Sequence, residues 1–129
     1  MIIGIHHIAI SVENLDTAVS FYQNAFGFEV VQTSDFNKNK LVDAAIGLTD
    51  AEARMAMLKA PNAFVELWEY VHPQPKDLRS RPCDYGYPHF ALQVSNIDDE
   101  YDRLIKAGMT FAGEVVHFTK ETAAIYGKD

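Results

Sequence analysis

Three side chains in this 129-residue chain, His7, Glu66 and His89, are of the types that bind divalent metal ions. The two histidines occupy the same place in two matching stretches, HIAISVENLD at 7–16 and HFALQVSNID at 89–98. A single histidine in a strand is more often a core or edge residue than a ligand. Packing alone does not require histidine at both places, so the matched pair favours a metal site.

Glu66 lies in the apolar run FVELW at 64–68, which is typical of a strand with apolar residues on both faces. An ionised carboxylate buried there costs several kcal/mol unless it is paired, hydrogen-bonded or bound to a metal. Two interpretations have equal weight. Glu66 is a metal ligand, or it lies on an edge strand in water or in an ion pair with Arg54, Arg79 or Arg81.

Two neighbouring side chains are expected to lie outside this site. His6 precedes His7 by one residue and is predicted to point to the opposite face of the strand as a structural residue. Glu69 is predicted on the face opposite to Glu66, in contact with water.

Two histidines and one carboxylate leave coordination positions open for a substrate. Such a site either stabilises an enediolate or binds a chelating substrate together with dioxygen, and the residues alone leave both chemistries open. The chain has no GxSxG motif and no Gly-rich phosphate loop, and its one cysteine, Cys83, has no nucleophile signature around it. The connection between Val71 and Pro88 also contains residues able to contact an acidic or aromatic ligand, although a solvated loop with some packing tyrosines is the commoner case. They are Arg79, Arg81, Tyr85 and Tyr87.

The repeat predicts two modules, each with a strand, a helix and several further strands. Asn14 and Asn96 are predicted helix N-caps, with helices that begin at the next residue and end at Gly27 and Gly108. The predicted later strands are 28–33, 54–59 and 63–70 in the first module and 110–118 and 122–126 in the second. A short helical turn is predicted at 49–53.

Composition restricts the partners and the location. Eleven basic residues against eighteen acidic ones give a net charge of −7, with no basic cluster, which argues against nucleic acid and anionic membranes as partners. The chain has a single cysteine, no apolar run of about 20 residues that would span a bilayer, and no basic leader before its apolar start. A cytoplasmic protein is expected.

Four motifs together resemble the vicinal oxygen chelate superfamily, which includes glyoxalase I, methylmalonyl-CoA epimerase, extradiol dioxygenases and bleomycin-resistance proteins. They are HHIAISVENLDTAVSFYQNAFGFEVV, AFVELWEY, PHFALQVSNIDDEYDRLIKAG and AAIYGKD. The resemblance implies an α+β fold in which two βαβββ modules form a U-shaped, mostly antiparallel sheet. It makes residues 1–129 one domain, with module one at about 1–71, a linker at about 72–86 and module two at about 87–129.

The resemblance also implies one divalent ion in the cup of the sheet, of iron, nickel, cobalt, zinc, manganese or magnesium. His7, Glu66 and His89 match the ligand positions of the family. Members usually continue beyond the YGKD motif into a final strand that carries a glutamate ligand. This sequence ends at Asp129, so that strand is expected to be missing from it.

Ring-cleaving dioxygenases do not normally have a ligand at the position of Glu66, so the resemblance favours proton transfer. The predicted function is a metal-dependent lyase, isomerase or epimerase of the glyoxalase type. It acts through an enediolate on a small substrate with vicinal oxygens, with Glu66, or the glutamate of the missing final strand, as the catalytic base. The alternatives are a non-haem iron extradiol dioxygenase and a metal-free drug-binding protein of the bleomycin-resistance type.

The open sheet and the resemblance both predict a homodimer.

Overall fold

Four strands and three helices follow one another in the computed structural model, which describes residues 1–86, 89–117 and 119. In chain order they are β1 (His7–Ser11), α1 (Leu15–Phe26), β2 (Glu29–Asn37), α2 (Lys40–Ile46), β3 (Glu52–Lys59), β4 (Phe64–His72) and α3 (Ile97–Lys106). The chain divides into two units, Met1–Arg81 and Pro82–Asp129. This division falls inside the segment predicted as a linker. That both units belong to one domain stays a prediction.

The first unit contains a four-stranded sheet in the order β1-β4-β3-β2. Strand β1 runs parallel to β4, whereas the β4/β3 and β3/β2 pairs are antiparallel. The fold class is therefore mixed α+β with a mostly antiparallel open sheet, as predicted. The first module has the expected βαβββ order, with α2 as an additional helix between its second and third strands.

The limits of α1 follow from local hydrogen bonding. The Asn14 side chain accepts a hydrogen bond from the Thr17 backbone N–H at 2.8 Å, which satisfies one of the free donors of the first turn. At the other end Gly27 has φ 69°, a left-handed conformation that suits glycine. Both predicted ends are confirmed.

The two faces of the sheet carry different clusters of apolar side chains. One face packs against α1 through a buried core. The members of that core are Leu15, Phe28, Ala56, Leu58, Val65 and Leu67. The opposite face carries a smaller buried cluster of Ala53, Met55 and Trp68, packed against Phe36, Val42, Met57 and Tyr70.

The helical turn predicted at 49–53 is wrong, and α2 was not predicted. Strand β3 already begins at Glu52, since Ala53 and other residues of the segment are buried in the sheet and this burial overrides their helix propensity. Helix α2 is capped by Asn39, and the Asp43 carboxylate accepts hydrogen bonds from two backbone N–H groups of the turn that follows.

In the second unit, Asn96 caps α3 by accepting from the backbone N–H groups of Asp98 and Asp99, as predicted. The described residues of this unit form no strand, so the strands predicted at the start of module two and at 110–118 are not found in its described part. A strand is stable only when it is paired. The predicted strand 122–126 lies outside the described residues. None of the helices in the described ranges is long and apolar enough to cross a bilayer.

Candidate metal centre

Strand pairing brings His7 and Glu66 to the same face of the sheet. In the pairing of β1 with β4, His7 lies opposite Phe64 and Ala9 lies opposite Glu66. On the other side of β4, Met57 of β3 lies opposite Glu66. Since opposed residues share a face and side chains alternate along a strand, His7 and Glu66 both project from the face away from α1. The distance from His7 Nε2 to Glu66 Oε2 is 3.6 Å.

The surroundings of Glu66 rule out part of the alternative interpretation. Its side chain is only 13% exposed, and its Oε2 atom accepts a hydrogen bond from Trp68 Nε1 at 3.0 Å. Strand β4 lies between β1 and β3, so the alternative of an edge strand is wrong. The proposed pairing with Arg54 is also wrong, because Arg54 contacts Asp16 and Glu69 instead.

The pairing proposed between Glu66 and Arg79 is wrong as well. The guanidinium of Arg79 contacts Asp77 at 2.6 Å and Glu13 at 2.8 Å. The hydrogen bonds from Arg79 lower the pKa of Asp77 to about 2. This cluster joins the segment after β4 to the loop before α1 and is a structural contact.

The geometry of His7 and Glu66 fits a divalent ion. An ion about 2.1 Å from an imidazole nitrogen and a carboxylate oxygen, at a tetrahedral angle, places those two atoms about 3.4 Å apart. The observed 3.6 Å requires an adjustment of only a few tenths of an ångström. Nitrogen and oxygen donors suit zinc, manganese, iron, nickel and cobalt, so the donor chemistry agrees with the predicted ion.

His89 belongs to the second unit, where it is exposed. Within residues 1–86, 89–117 and 119, no group of three or more His, Cys, Asp or Glu side chains has the arrangement of a metal site. Within the first unit, the structure brings His7 and Glu66 together. That His89 is the third stays a prediction.

His6 lies beside His7, contrary to the prediction that it points to the opposite face. The Nδ1 atoms of the two imidazoles are 2.9 Å apart, and the His6 ring also contacts the Phe64 ring with a centroid distance of 5.2 Å. Strand alternation does not apply to His6 because β1 begins only at His7.

An aromatic stack lies on the same sheet face as Glu66. Trp68 is stacked against Phe36 at a centroid distance of 5.3 Å and against Tyr70 at 5.6 Å. Burial, and then the negative charge of Glu66, raise the pKa of Tyr70, so its phenol stays protonated at neutral pH. Sequence reasoning did not assign these rings to the site, although the spacing of Trp68 and Tyr70, two residues apart along β4, was a usable signal.

Two comparisons with known sequences show which proteins this chain is similar to. The family described as Glyoxalase/Bleomycin resistance protein/Dioxygenase superfamily matches residues 4–129. A 2-epi-5-epi-valiolone epimerase from Actinomyces sp. is 36% identical over 104 residues, which cover 74% of this chain and 54% of the relative. The chain therefore spans about half the length of that relative. An uncharacterised protein from Bacillus subtilis, YurT, is 26% identical over 92% of this chain and 85% of its own length.

Solved structures share the fold. A glyoxalase family protein from Bacillus cereus has a TM-score of 0.72 at 24% identity, covering 92% of this chain and 81% of that chain. A variant of the fosfomycin resistance protein FosX from Listeria monocytogenes, complexed with Mn(II) and 1S,2S-dihydroxypropylphosphonic acid, has a TM-score of 0.54 at 26% identity. It covers 83% of this chain and 70% of its own. The family match over almost the whole chain shows that this protein belongs to the Glyoxalase/Bleomycin resistance protein/Dioxygenase superfamily.

Proposed function

We propose that this protein is a metal-dependent isomerase of the glyoxalase type, an epimerase that moves a proton on a carbon next to a carbonyl group. The observation that carries this proposal is the partly buried Glu66 carboxylate, 3.6 Å from His7 Nε2 on the open face of the sheet. Two comparisons support it. The Actinomyces relative is named an epimerase, and the FosX neighbour is complexed with Mn(II).

His7, Glu66 and His89 are the proposed ligands of one divalent ion, for which Mn²⁺ is the first choice among iron, nickel, cobalt, zinc, manganese and magnesium. When bound, a divalent ion supplies a Lewis acid that withdraws electrons from a carbonyl oxygen. A substrate with two adjacent oxygens, such as a 2-hydroxyketone, is suited to such a site. This substrate class is a proposal, as are a homodimer and a cytoplasmic location.

The chain itself contributes the proton transfer. The Glu66 carboxylate accepts the proton of the C–H bond next to the carbonyl, and the electron pair of that bond moves into the substrate's enediolate. A proton delivered from water to the opposite face of the carbon inverts its configuration, and the protonated Glu66 carboxyl returns its proton to water. The N–H of Trp68 keeps the Glu66 carboxylate oriented, and its ring stack provides an apolar wall beside the reacting carbon.

The test combines metal uptake with proton exchange. The full chain, purified without added metal and reloaded with Mn²⁺, should bind one ion, and His89→Ala should abolish that uptake. Exchange of the C–H next to the carbonyl into D₂O, followed by proton NMR on 2-epi-5-epi-valiolone and simple 2-hydroxyketones, should slow by about 10²-fold or more in Glu66→Gln. The matched control is Glu69→Gln, which changes the same residue type on the same strand but on the opposite face.

Three outcomes contradict the proposal. Without stoichiometric metal uptake that depends on His89, the ligand set is wrong. If Glu66→Gln keeps its metal and consumes oxygen with a catechol, the protein is an extradiol dioxygenase. If the wild-type chain binds a drug-like ligand tightly in the presence of EDTA, the protein is a metal-free binding protein.

A further inference from the structure

We infer that His6 is a positioning residue for His7: its Nδ1 atom accepts the hydrogen bond of the His7 Nδ1–H group and thereby leaves His7 Nε2 free to bind the metal ion. This inference rests on the proposed function, since it concerns a ligand of the proposed site. It assigns a role to the first histidine of the His6-His7 pair, which the metal ligand set does not use.

The geometry places two groups at the two nitrogens of the His7 ring. His6 Nδ1 is 2.9 Å from His7 Nδ1, a hydrogen-bond distance, and Glu66 Oε2 is 3.6 Å from His7 Nε2. A neutral imidazole carries one proton, on either nitrogen, and only the other nitrogen has a lone pair in the ring plane. With His6 Nδ1 as the acceptor and the His6 proton on its Nε2 atom, His7 takes the tautomer whose lone pair faces Glu66.

His6 is itself held by the strand that carries Glu66. Its ring contacts Phe64 with a centroid distance of 5.2 Å, and its backbone carbonyl accepts a hydrogen bond from the Phe64 N–H at 3.0 Å. Phe64 precedes Glu66 by two residues on β4. Strand β4 thus carries Glu66 and also contacts His6, the two groups that lie next to the His7 ring.

A partner of this kind matters because the His7 side chain is 41% exposed. Half-exposed imidazoles rotate and exchange tautomers unless a second contact orients them. Partners that hydrogen-bond the far nitrogen of a metal-ligating histidine typically contribute 10- to 100-fold in metal affinity.

The experiment compares two variants of the full chain. His6→Phe keeps a ring against Phe64 but removes the nitrogen, whereas His6→Asn places an amide oxygen near the position of Nδ1. With Zn²⁺ alone as the probe in calorimetric titration, His6→Phe should bind about 10- to 100-fold more weakly than wild type, and His6→Asn should recover most of that loss. Urea unfolding of both variants without metal checks that they are folded.

The second readout is spectroscopic and does not depend on activity. Imidazole ¹⁵N NMR of the zinc-loaded wild type should show His7 as the Nδ1–H tautomer, with the proton correlated across the hydrogen bond to His6. Three results overturn this inference but leave the proposed function intact. They are a Zn²⁺ affinity of His6→Phe equal to that of wild type, an Nε2–H tautomer of His7, and a His6→Asn variant that binds Zn²⁺ as weakly as His6→Phe. A wild type that binds no Zn²⁺ or Mn²⁺ overturns the proposed function and this inference together.

Discussion

The Glu69→Ala substitution should destabilise the first unit, although Glu69 was predicted to be solvated. Its Oε2 atom accepts a hydrogen bond of 2.6 Å from the backbone N–H of Leu15, the first residue of α1, and one of 3.4 Å from Arg54. The side chain is 23% exposed. Glu69 thus links β4 to the start of α1, at the helix end where a negative charge is favourable.

The expected cost follows from these contacts. A hydrogen bond to a charged group contributes about 1.5–3 kcal/mol, and the loss of a cap at a helix N-terminus costs about 0.5–2 kcal/mol. The contact with Arg54 adds little, because it is longer and the Arg54 side chain is 40% exposed. Glu69→Ala should therefore lower the free energy of unfolding by about 2 kcal/mol. Glu69→Gln keeps an acceptor for Leu15 and should cost about half as much.

Urea unfolding, followed by the fluorescence of Trp68, the single tryptophan, measures this change. The slope with urea should stay constant while the midpoint falls. Asp16→Asn is the matched control, because Asp16 also contacts Arg54 but is 80% exposed, and it should unfold close to wild type. A Glu69→Ala midpoint equal to that of Asp16→Asn would refute the assignment of Glu69 to the helix end.

Two further predictions concern the core and the charge cluster after β4. Leu67→Ala, at a position with 0% exposure, should lower the free energy of unfolding by about 2–5 kcal/mol. Val71→Ala, at a position with 60% exposure, should stay within about 0.5 kcal/mol of wild type. Equal effects of the two substitutions in urea unfolding would contradict the assignment of Leu67 to the core. Asp77 should titrate near its pKa of about 2 in carboxyl NMR, and Arg79→Gln should return this pKa towards 3.8. Because the pKa of Asp77 is lower in the folded than in the unfolded chain, its stabilisation of the fold is complete above pH 3.8 and is lost as the pH falls to about 2. An unchanged Asp77 pKa in Arg79→Gln would show that Arg79 does not cause the shift.

The helix ends were the most predictable part of the fold. Asn14 and Asn96 cap their helices as predicted, and Gly27 ends α1 in the left-handed conformation. Helix α2 was missed, although Asn39 and Gly47 provided the same pair of signals around it. Such signals depend only on neighbouring backbone groups, which makes them readable from a short stretch of sequence.

The candidate site was predictable only in its donor types. Histidine at 7 and glutamate at 66 were recognisable as ligand types, but their approach depends on β1 pairing in parallel with β4, a contact between segments far apart in the chain. The same pairing excludes the edge-strand alternative for Glu66. It also brings Phe64 beside His6, which sequence alternation had assigned to the other face.

Glu66 and Glu69 show most clearly which properties the sequence determines and which depend on the tertiary structure. The sequence by itself determined that two carboxylates lie three residues apart in an apolar strand, and period-two alternation placed them on opposite faces. Only the tertiary structure decided that one faces His7 and Trp68 while the other binds the start of α1. The reason is physical: alternation is a property of the strand itself, whereas the partner and burial of each carboxylate depend on which distant segments the sheet and helix bring against it.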